Sequence, residues 1–472
     1  MKDTDRRTER EIVADPSVLS DTRRRRGPFT ESAPLGSVCD VSVATTLAPL
    51  VQTIFGSRSP PVRVRCWDGS ELGPAPGDPV PNATLVLRSP NALRRLLYAP
   101  GELGFGRAYV AGDIDLEGDV YAFLDLRRFL GEVRENVEVK LDAQGVRELV
   151  RVARQLGLIG APLPPPLEEA HLRGRKHSKE RDSAAVAHHY NVGNDFYRTV
   201  LGPTMAYSCA YWDRDGIGLD QAQEAKFELI SRKLDLEPGM RLLDIGCGWG
   251  GMAMHAARHH GVRVVGITLA TEQAELARKR VAEAGLGDQI EIRVQDYREV
   301  GDGPYDAVSS IGMSEHVGSE RLSTYFGQVF SLLRAKGRFL NHAISSPDTA
   351  GGRVPSRSFV GRYVFPDGEL IEVGSAITAM QNLGFEVRDV ESLREHYALT
   401  LRAWVENLEA NWDALVEHVG AGRARVWRLY MAAAAVNFES NRTAIHQVLA
   451  VRPATFGESG MPRTRSGFLD AG

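Results

Sequence analysis

The stretch from Arg241 to Gly251, RLLDIGCGWGG, constrains the fold more than any other part of the chain. It opens with the apolar residues of a short buried strand, continues through four glycines, and leads into the helical pattern MAMHAARHH. Glycines let the backbone turn tightly and approach a ligand without an intervening Cβ. Asp244 stands at the end of the strand, where open α/β sheets bind ligands. This order of strand, glycine turn and helix predicts a ligand site.

The glycines also match G-x-G-x-x-G, which alone is a weak indication of dinucleotide binding. Two features argue against NAD. The acidic residue precedes the first glycine by two positions, and the next predicted strand, Arg263 to Ile267, ends in Thr268-Leu269 without an acid for a ribose 2′-hydroxyl. The pattern D-x-G-x-G-x-G resembles the S-adenosylmethionine (AdoMet) loop of class I methyltransferases. A glycine turn that binds nothing is the plainer alternative.

Composition indicates a globular protein with a full-sized core. The 472 residues exceed one ordinary domain, and 43% are hydrophobic and 25% charged. A net charge of −4 gives no reason to expect a nucleic-acid partner. The four cysteines have no metal-like spacing, so we expect a reduced cytosolic protein without a metal. No run of 18 apolar residues and no signal peptide are found, so we expect no membrane span.

Shifts in composition predict four segments. Residues 1–35 are a disordered basic tail, interpreted either as a solvated arm or as an anchor for anionic lipid headgroups. Residues 36–160 form a small α+β domain, and residues 161–182 are a proline-rich linker with a basic segment. Residues 183–472 alternate strands with helices, which predicts a doubly wound parallel sheet.

The predicted elements follow from local pattern. In the first domain we expect strands at 62–67 and 83–87, a helix after Ser89-Pro90, a turn-rich strand region at 104–115 and a helix at 119–133. In the second domain we expect strands at 241–245, 263–267, 290–294, 306–311, 337–344 and 384–390. Its helices are predicted at 221–234, 271–284, 323–333 and 423–449, and the tail after Val451 is expected to be loose.

Side chains that can carry chemistry fall near the predicted carboxyl ends of these strands. YSC (207–209) precedes the first strand, GMSEHVG (312–318) follows the fourth, His342 lies in the fifth, and Tyr430 lies on the late helix. Each taken alone has a plainer structural interpretation: a buried thiol, an acid–histidine pair, a core histidine and a core aromatic ring.

Several motifs taken together resemble one known family, the cyclopropane-fatty-acyl-phospholipid synthases. The motifs, in order, are YSCAYW, DIGCGWGG, GITLATEQ, VQDY, GMSEHVG, the H-x-I of NHAIS, and FPDG. The mycolic acid cyclopropane synthases share most of them, and the resemblance covers residues 183–450. The stretch from Val62 to Asp119 is most similar to the branch that makes methylene-branched precursors of tuberculostearic acid.

The resemblance implies a class I AdoMet methyltransferase fold, doubly wound and Rossmann-like, with two adjoining sites. The residues implied in AdoMet binding are Tyr207, Ser208, Asp244, Gly246, Gly248, Thr268, Leu269, Gln273, Asp296 and Tyr297. The residues implied around a bound bicarbonate are Cys209, Glu315, His342, Ile344 and Tyr430, all of which except Ile344 are also implied in catalysis.

The implied chemistry explains why a bicarbonate site is needed. An isolated alkene attacks the sulfonium methyl group and becomes a carbocation, which must then lose a proton. A strong nucleophile in that place would add to the cation, whereas bicarbonate is a weak nucleophile and a usable base, with Glu315 and His342 relaying its proton. We also hypothesise that Tyr211 or Tyr363 stabilises the cation through its aromatic face.

Two products share this first step, and the site residues do not decide between them. Ring closure gives a cyclopropane, whereas a 1,2-hydride shift before proton loss gives an exocyclic methylene, which the first domain's resemblance favours. The other classes of function considered are a small-molecule O- or N-methyltransferase, a lipid-binding module without activity, and an NAD enzyme.

The resemblance also sets expectations about surroundings. We expect an unsaturated, oleoyl-type phospholipid as substrate, a peripheral position at the inner face of the membrane, a reductase partner that saturates the methylene group, and a homo-oligomer. One departure from the family is clear, because no cysteine follows Cys247 and a thiol near the C-terminus is therefore excluded.

Overall fold

Parallel strands with helices on both faces form the larger part of the molecule. The computed structural model describes residues 41–55, 62–74, 82–124, 143–170, 192–347, 355, 358–366 and 368–469. The predicted basic tail, the basic segment at 171–182 and the second half of the helix predicted at 119–133 lie outside these residues. The described residues from Ser42 onward form one compact unit, and the boundary predicted between two domains stays a prediction.

Twelve strands and fifteen α-helices are described in this part of the chain. The strands are β1 (Arg63–Arg65), β2 (Glu71–Leu72), β3 (Ala83–Leu87), β4 (Ile114–Gly118), β5 (Arg241–Ile245), β6 (Arg263–Thr268), β7 (Ile290–Val294), β8 (Tyr305–Ile311), β9 (Leu333–Ser346), β10 (Ile371–Glu372), β11 (Glu386–Ser392) and β12 (Ala444–Val451). The helices are α1 (Val43–Phe55), α2 (Pro90–Tyr98), α3 (Glu102–Val110), α4 (Ala143–Gln155), α5 (Asn194–Leu201), α6 (Leu219–Leu234), α7 (Gly251–His260), α8 (Thr271–Glu283), α9 (Leu322–Leu332), α10 (Phe359–Tyr363), α11 (Val373–Asn382), α12 (Arg394–Ala410), α13 (Trp412–Val419), α14 (Ala421–Glu439) and α15 (Ser466–Leu469).

The large sheet has the order β11-β12-β9-β8-β5-β6-β7, with β10 paired to β9. Strands β5 to β9 run parallel, whereas β12 is antiparallel to both β9 and β11. The chain leaves β5 towards β6 and β7, then returns to β8 on the other side of β5. The strand order therefore reverses next to β5, which is where open α/β sheets form a ligand crevice. This confirms the predicted fold class, with one antiparallel strand added.

Alternate residues of β5 pack into separate cores on the two faces of the sheet, as the pleat of a strand requires. Leu242 lies in the cluster that contains α6, α7 and α8, and Leu243 lies in the cluster that contains α9 and α11. Both side chains are fully buried. A strand buried on both faces explains why Leu242 and Leu243, which point to opposite faces, are both apolar.

The helix predicted from Arg423 to Leu449 is wrong in its second half. Helix α14 ends at Glu439, Asn441 adopts a left-handed φ of 54°, and AIHQVLAV then forms β12. Strand β12 pairs with β9 along its whole length and with β11 on its other edge. Its apolar residues fit a helical pattern as well as an extended one. Pairing with the edges of β9 and β11 favours the extended conformation.

The strand region predicted at 104–115 is wrong as far as Val110, because α3 occupies that part, whereas its last two residues begin β4. Gly104 and Gly106 suggested turns, yet both lie inside the helix. A Cβ at Gly104 would stand 1.8 Å from the carbonyl oxygen of Ala99, and a Cβ at Gly106 would stand 2.3 Å from the ring of Phe359. These glycines permit close packing rather than a change of direction.

A four-stranded sheet, β2-β1-β3-β4, forms the centre of the N-terminal part, and α1 and α4 pack beside it without having been predicted. In the described part of the tail after Val451, predicted to be loose, Phe468 is buried and Arg465 contacts Asp389 at 2.7 Å, although most of the other side chains are exposed. Among the described residues, no helix has both the length and the apolar character needed to cross a membrane.

Candidate active site

The glycine loop after β5 is shaped by backbone hydrogen bonds to the next strand. Gly246, at a φ of 78°, and Cys247 both donate their N–H groups to the carbonyl of Ile267, at 2.9 and 3.0 Å. Helix α7 then begins at Gly251, where a Cβ would stand 2.9 Å from the ring of Phe227. The loop therefore turns next to the switch point of the sheet, as the glycine pattern predicts.

Asp244 is buried beneath this loop, and only one of its two carboxylate oxygens is hydrogen-bonded to a described residue. Its Oδ1 accepts a hydrogen bond from Ser309 Oγ at 2.7 Å, while Oδ2 is buried and has no hydrogen-bond partner among the described residues. Burial raises the pKa of this carboxyl to about 6. Because Asp244 lines the cavity, Oδ2 fits the role of acceptor for the ammonium group of AdoMet.

One cavity of about 550 Å³ is lined by every residue that the resemblance implied in either site. Its volume is in the usual range for small-molecule and cofactor sites. Thr268 Oγ1 donates to Gln273 Oε1 at 3.1 Å, after β6, and Asp296, after β7, pairs with Arg298. The structure thus brings the predicted residues together, and their individual roles stay predictions.

Lys226 is a cavity residue that sequence reasoning missed. It lies on α6, is fully buried, and donates from Nζ to Ser208 Oγ at 2.9 Å. Burial lowers its pKa to about 7. Gln223, one turn earlier on the same helix, donates to the carbonyl of Ser208 at 2.9 Å. The signal available in the sequence was a glutamine and a lysine three residues apart on the apolar face of an amphipathic helix.

Glu315 is held on a short 3-10 helix, Ser314–His316, which follows β8. Its Oε1 accepts the backbone N–H of Ile344 at 2.7 Å, because β8 and β9 are neighbouring parallel strands. Its Oε2 is buried and has no hydrogen-bond partner among the described residues. Burial raises the pKa of this carboxyl to about 7. The group is therefore poised to exchange a proton near neutral pH.

A relay of two buried hydrogen bonds determines which ring nitrogen of His342 carries the proton. Lys233 Nζ can only donate, so Gln447 Oε1, 2.9 Å away, accepts, and the amide Nε2 is left to donate to His342 Nδ1 at 3.1 Å. Burial lowers the pKa of His342 well below its ordinary value. The ring is therefore neutral and carries its proton on Nε2, which is buried without a partner among the described residues.

The other two predicted residues are held as neutral groups. Cys209 Sγ lies 3.2 Å from the carbonyl of Ala210, and burial raises the pKa of the thiol. Burial likewise raises the pKa of Tyr430, whose hydroxyl is hydrogen-bonded to Tyr207. A protonated thiol and a protonated phenol are weak nucleophiles, which suits a site where a carbocation forms.

The remaining wall of the cavity is mainly apolar. It is formed by residues of α10, the segment after it, α14 and β12, among them Phe359, Val360, Val364, Phe365, Phe438 and Ile445. Neither Tyr211 nor Tyr363 belongs to the described part of this wall, so the cation–π hypothesis for these two residues gains no support from it and stays a prediction. Tyr211 stacks on His396, and Tyr363 is buried against Phe359 and Glu169.

Comparisons with known proteins place the chain in one family. Residues 177–448 match the family model described as mycolic acid cyclopropane synthetase. A probable fatty acid methyltransferase of Mycobacterium tuberculosis is 43% identical over 88% of this chain and 97% of its own length. The cyclopropane-fatty-acyl-phospholipid synthase of Escherichia coli K12 is 34% identical over 80% of this chain and 89% of its own length.

Two further matches extend the comparison. The tuberculostearic acid methyltransferase UfaA1 of Mycobacterium tuberculosis is 31% identical over 93% of this chain and 97% of its own length. The crystal structure of the mycolic acid cyclopropane synthase CmaA1 with SAH and CTAB has 33% identity and a TM-score of 0.53, and covers 57% of this chain and 97% of that one.

Proposed function

The chain belongs to the mycolic acid cyclopropane synthetase family, whose members modify fatty acyl chains with AdoMet, and from this premise we propose that it methylates the cis double bond of an unsaturated acyl chain in a phospholipid. One observation carries the proposal. A single cavity is lined by the glycine loop, by an apolar wall, and by two buried polar atoms that have no partners among the described residues, Glu315 Oε2 and His342 Nε2.

The residues present fit a bound bicarbonate. His342 Nε2–H and the Tyr430 hydroxyl offer donors, and Glu315 Oε2 offers an acceptor once its carboxyl is ionised. When bound, bicarbonate supplies a base that is too weakly nucleophilic to add to a carbocation. The chain itself positions this group, excludes water with its apolar wall, and holds an exchangeable proton at Glu315.

The reaction balances with the alkene and AdoMet as its reactants. The π electrons of the alkene form a bond to the methyl carbon of AdoMet, the carbon–sulfur bond breaks, and S-adenosylhomocysteine leaves. The resulting carbocation loses one proton. Methyl transfer and proton loss both need an apolar site, because water would add to the carbocation. The wall formed by Phe359, Val364 and Phe365 meets that need.

We favour the exocyclic methylene product, which forms when a 1,2-hydride shift precedes proton loss. The name of UfaA1, a tuberculostearic acid methyltransferase, supports this branch. The name of the Escherichia coli relative supports the second candidate, cyclopropane formation, at a similar identity. A methylene product would call for a reductase that saturates it, and a phospholipid substrate would place the protein at a membrane surface. The reductase partner, the position at a membrane surface and self-association are all parts of the proposal.

The product can be identified directly. The purified protein is incubated with vesicles of dioleoyl phospholipid, bicarbonate and AdoMet carrying a ¹³C-labelled methyl group, and the released fatty acids are studied by mass spectrometry and NMR. We expect the label in an olefinic methylene carbon. A label in a shielded ring carbon would establish the cyclopropane product instead. Transfer to a water-soluble amine or hydroxyl acceptor, with none to vesicles, would overturn the proposed substrate.

A further inference from the structure

A group of histidine and glutamate side chains lies where α6 packs against α7, and none of them lines the cavity. Helix α6 contributes Glu224 and Glu228, one turn apart, and α7 contributes His255, His259 and His260. His255 is buried, with 8% of its surface exposed, whereas its neighbours are half-buried or exposed. The cysteine pattern gave no reason to expect a metal, but these residues are metal ligands by type.

Two of the distances among three donor atoms already match the spacing in a coordination sphere. Glu228 Oε2 lies 3.0 Å from His260 Nε2 and 3.3 Å from His255 Nε2. Ligand atoms about 2.0–2.1 Å from a tetrahedral Zn²⁺ are separated by roughly 3.3 Å. The three residues each offer one donor atom within 4.8 Å of the other two. A cation among them would require only small shifts of these side chains.

The second nitrogen of His255 is held as in known zinc sites. His255 Nδ1 lies 2.9 Å from Glu224 Oε2, and a carboxylate that accepts the far N–H of a ligating histidine is the usual support for a bound metal. Both ring nitrogens of His255 thus face carboxylates. With Nδ1 directed at Glu224, His255 presents Nε2 to the side where Glu228 and His260 lie.

We propose that Glu228, His255 and His260 bind one divalent cation of the Zn²⁺ class, with Glu224 orienting His255 and water completing the sphere at the open side. Imidazole nitrogens and a carboxylate favour this class over Mg²⁺ or Ca²⁺. The cation would tie α6 to α7. Helix α6 carries Lys226, and α7 begins at the glycine loop. The cation would therefore hold in place the two helices that frame the cofactor half of the cavity.

Metal binding is tested on the full chain after removal of metals with a chelator. Calorimetric titration with Zn²⁺ is expected to show one ion per chain, and the melting temperature is expected to rise with Zn²⁺ concentration. His255→Ala is expected to weaken binding at least about 100-fold, and Glu224→Gln by about 10- to 100-fold. Co²⁺ is expected to give the visible absorption of a tetrahedral site in the wild type and not in His255→Ala.

His259→Ala separates the proposed set from the alternative one, Glu224, His255 and His259, whose donor atoms also lie within 4.8 Å of one another. It is expected to leave the Zn²⁺ affinity within about 2-fold. His260→Ala repeats the ligand test at a partly exposed position if His255→Ala does not fold, and AdoMet titration reports folding in every variant. No Zn²⁺ binding by the wild type, unchanged binding in His255→Ala or His260→Ala, or equal loss in His259→Ala would each overturn the site.

Discussion

Glu315 carries the sharpest prediction at the scale of single residues. Its buried carboxyl has a pKa raised to about 7, so it is ionised only above that pH in the free enzyme. We expect kcat/KM, measured at a fixed concentration of bicarbonate ion, to fall roughly tenfold per pH unit as the pH drops below about 7. A profile that stays flat on both sides of that pKa would contradict the assigned role.

The same pKa shift has the opposite sign for stability. The ordinary pKa of a glutamate carboxyl is 4.5, and the pKa of Glu315 in the folded protein is about 7. As the pH rises from the first value to the second, the folded protein loses stability, because the buried group must ionise. Glu315→Gln is therefore expected to remove activity without lowering the melting temperature at a pH about one unit above the folded pKa. Loss of activity together with a large drop in melting temperature would show a structural role instead.

Gln447 is predicted to act through the tautomer of His342. Gln447→Leu removes the donor that keeps Nδ1 unprotonated, so His342 no longer presents a fixed N–H to the cavity. We expect kcat to fall about 10- to 100-fold while the affinity for AdoMet changes less than about 2-fold. Gln381→Leu, at an exposed position on α11, is the matched control and is expected to be silent. Equal effects on kcat and AdoMet affinity would argue against a tautomer role.

At the scale of elements, the packing of α3 on α10 sets the position of the cavity wall. Gly106→Ala places a methyl group 2.3 Å from the present ring position of Phe359, a wall residue. We expect a loss of about 1–3 kcal/mol of stability and a lower kcat/KM for vesicles, with AdoMet affinity retained. These are measured by denaturant unfolding, label transfer and AdoMet titration.

A second helical glycine provides the control. Gly374 lies in α11, where an added Cβ would meet no described atom within 4 Å. Gly374→Ala is expected to stabilise the protein by about 0.4–1 kcal/mol and to leave activity unchanged. If both substitutions had the same effect on turnover, the contact between α3 and Phe359 would not control the wall.

At the scale of the whole molecule, the N-terminal part contributes to the site rather than standing apart from it. Glu102, at the start of α3, lines the cavity and accepts the N–H of Phe359 at 3.2 Å. One hydrophobic cluster also joins Tyr109 and Leu116 to Trp427 and Leu401 of the helices α14 and α12. The N-terminal part therefore supplies part of the cavity wall and packs against helices that form the rest of it.

Arg107 of α3 and Glu169 of the linker form a buried ion pair, and Glu169 also contacts Arg362 and Tyr363 of α10. Arg107 donates from Nε and Nη2 to the two oxygens of Glu169, at 2.8 and 2.7 Å, and the carboxylate is only 1% exposed. Arg107→Met leaves a buried charge without its main partner, so we expect a loss of about 3 kcal/mol in the free energy of unfolding. Glu169→Gln added to that variant is expected to restore part of the loss.

An exposed pair supplies the comparison for this prediction. Arg63 Nε lies 3.8 Å from Glu71 Oε2, with both side chains 40% exposed. Arg63→Met is expected to change the free energy of unfolding by less than about 1 kcal/mol, because water screens the pair. Similar losses in Arg63→Met and Arg107→Met would remove the special role of the buried pair.

Local sequence was sufficient to predict the parts of the fold that depend on short stretches of chain. Strands at Arg241–Ile245 and Ile290–Val294 begin and end as predicted, because each is a short segment whose pattern can be read locally: a mostly buried one in RLLDI and an alternating one in IEIRV. The glycine loop could be predicted equally well, because its residues are adjacent in the chain. The ordered motifs also pointed to the residues that line the cavity, although not to what each of them does.

Features that depend on distant partners required the folded chain. The relay to His342 joins Lys233 to Gln447 across 214 positions and Gln447 to His342 across 105, and no local pattern contains such pairs. Strand β12 was mistaken for helix because the edges of β9 and β11 select its conformation. Periodicity reports which face of an element is buried, but the partner against that face is fixed only when the chain packs.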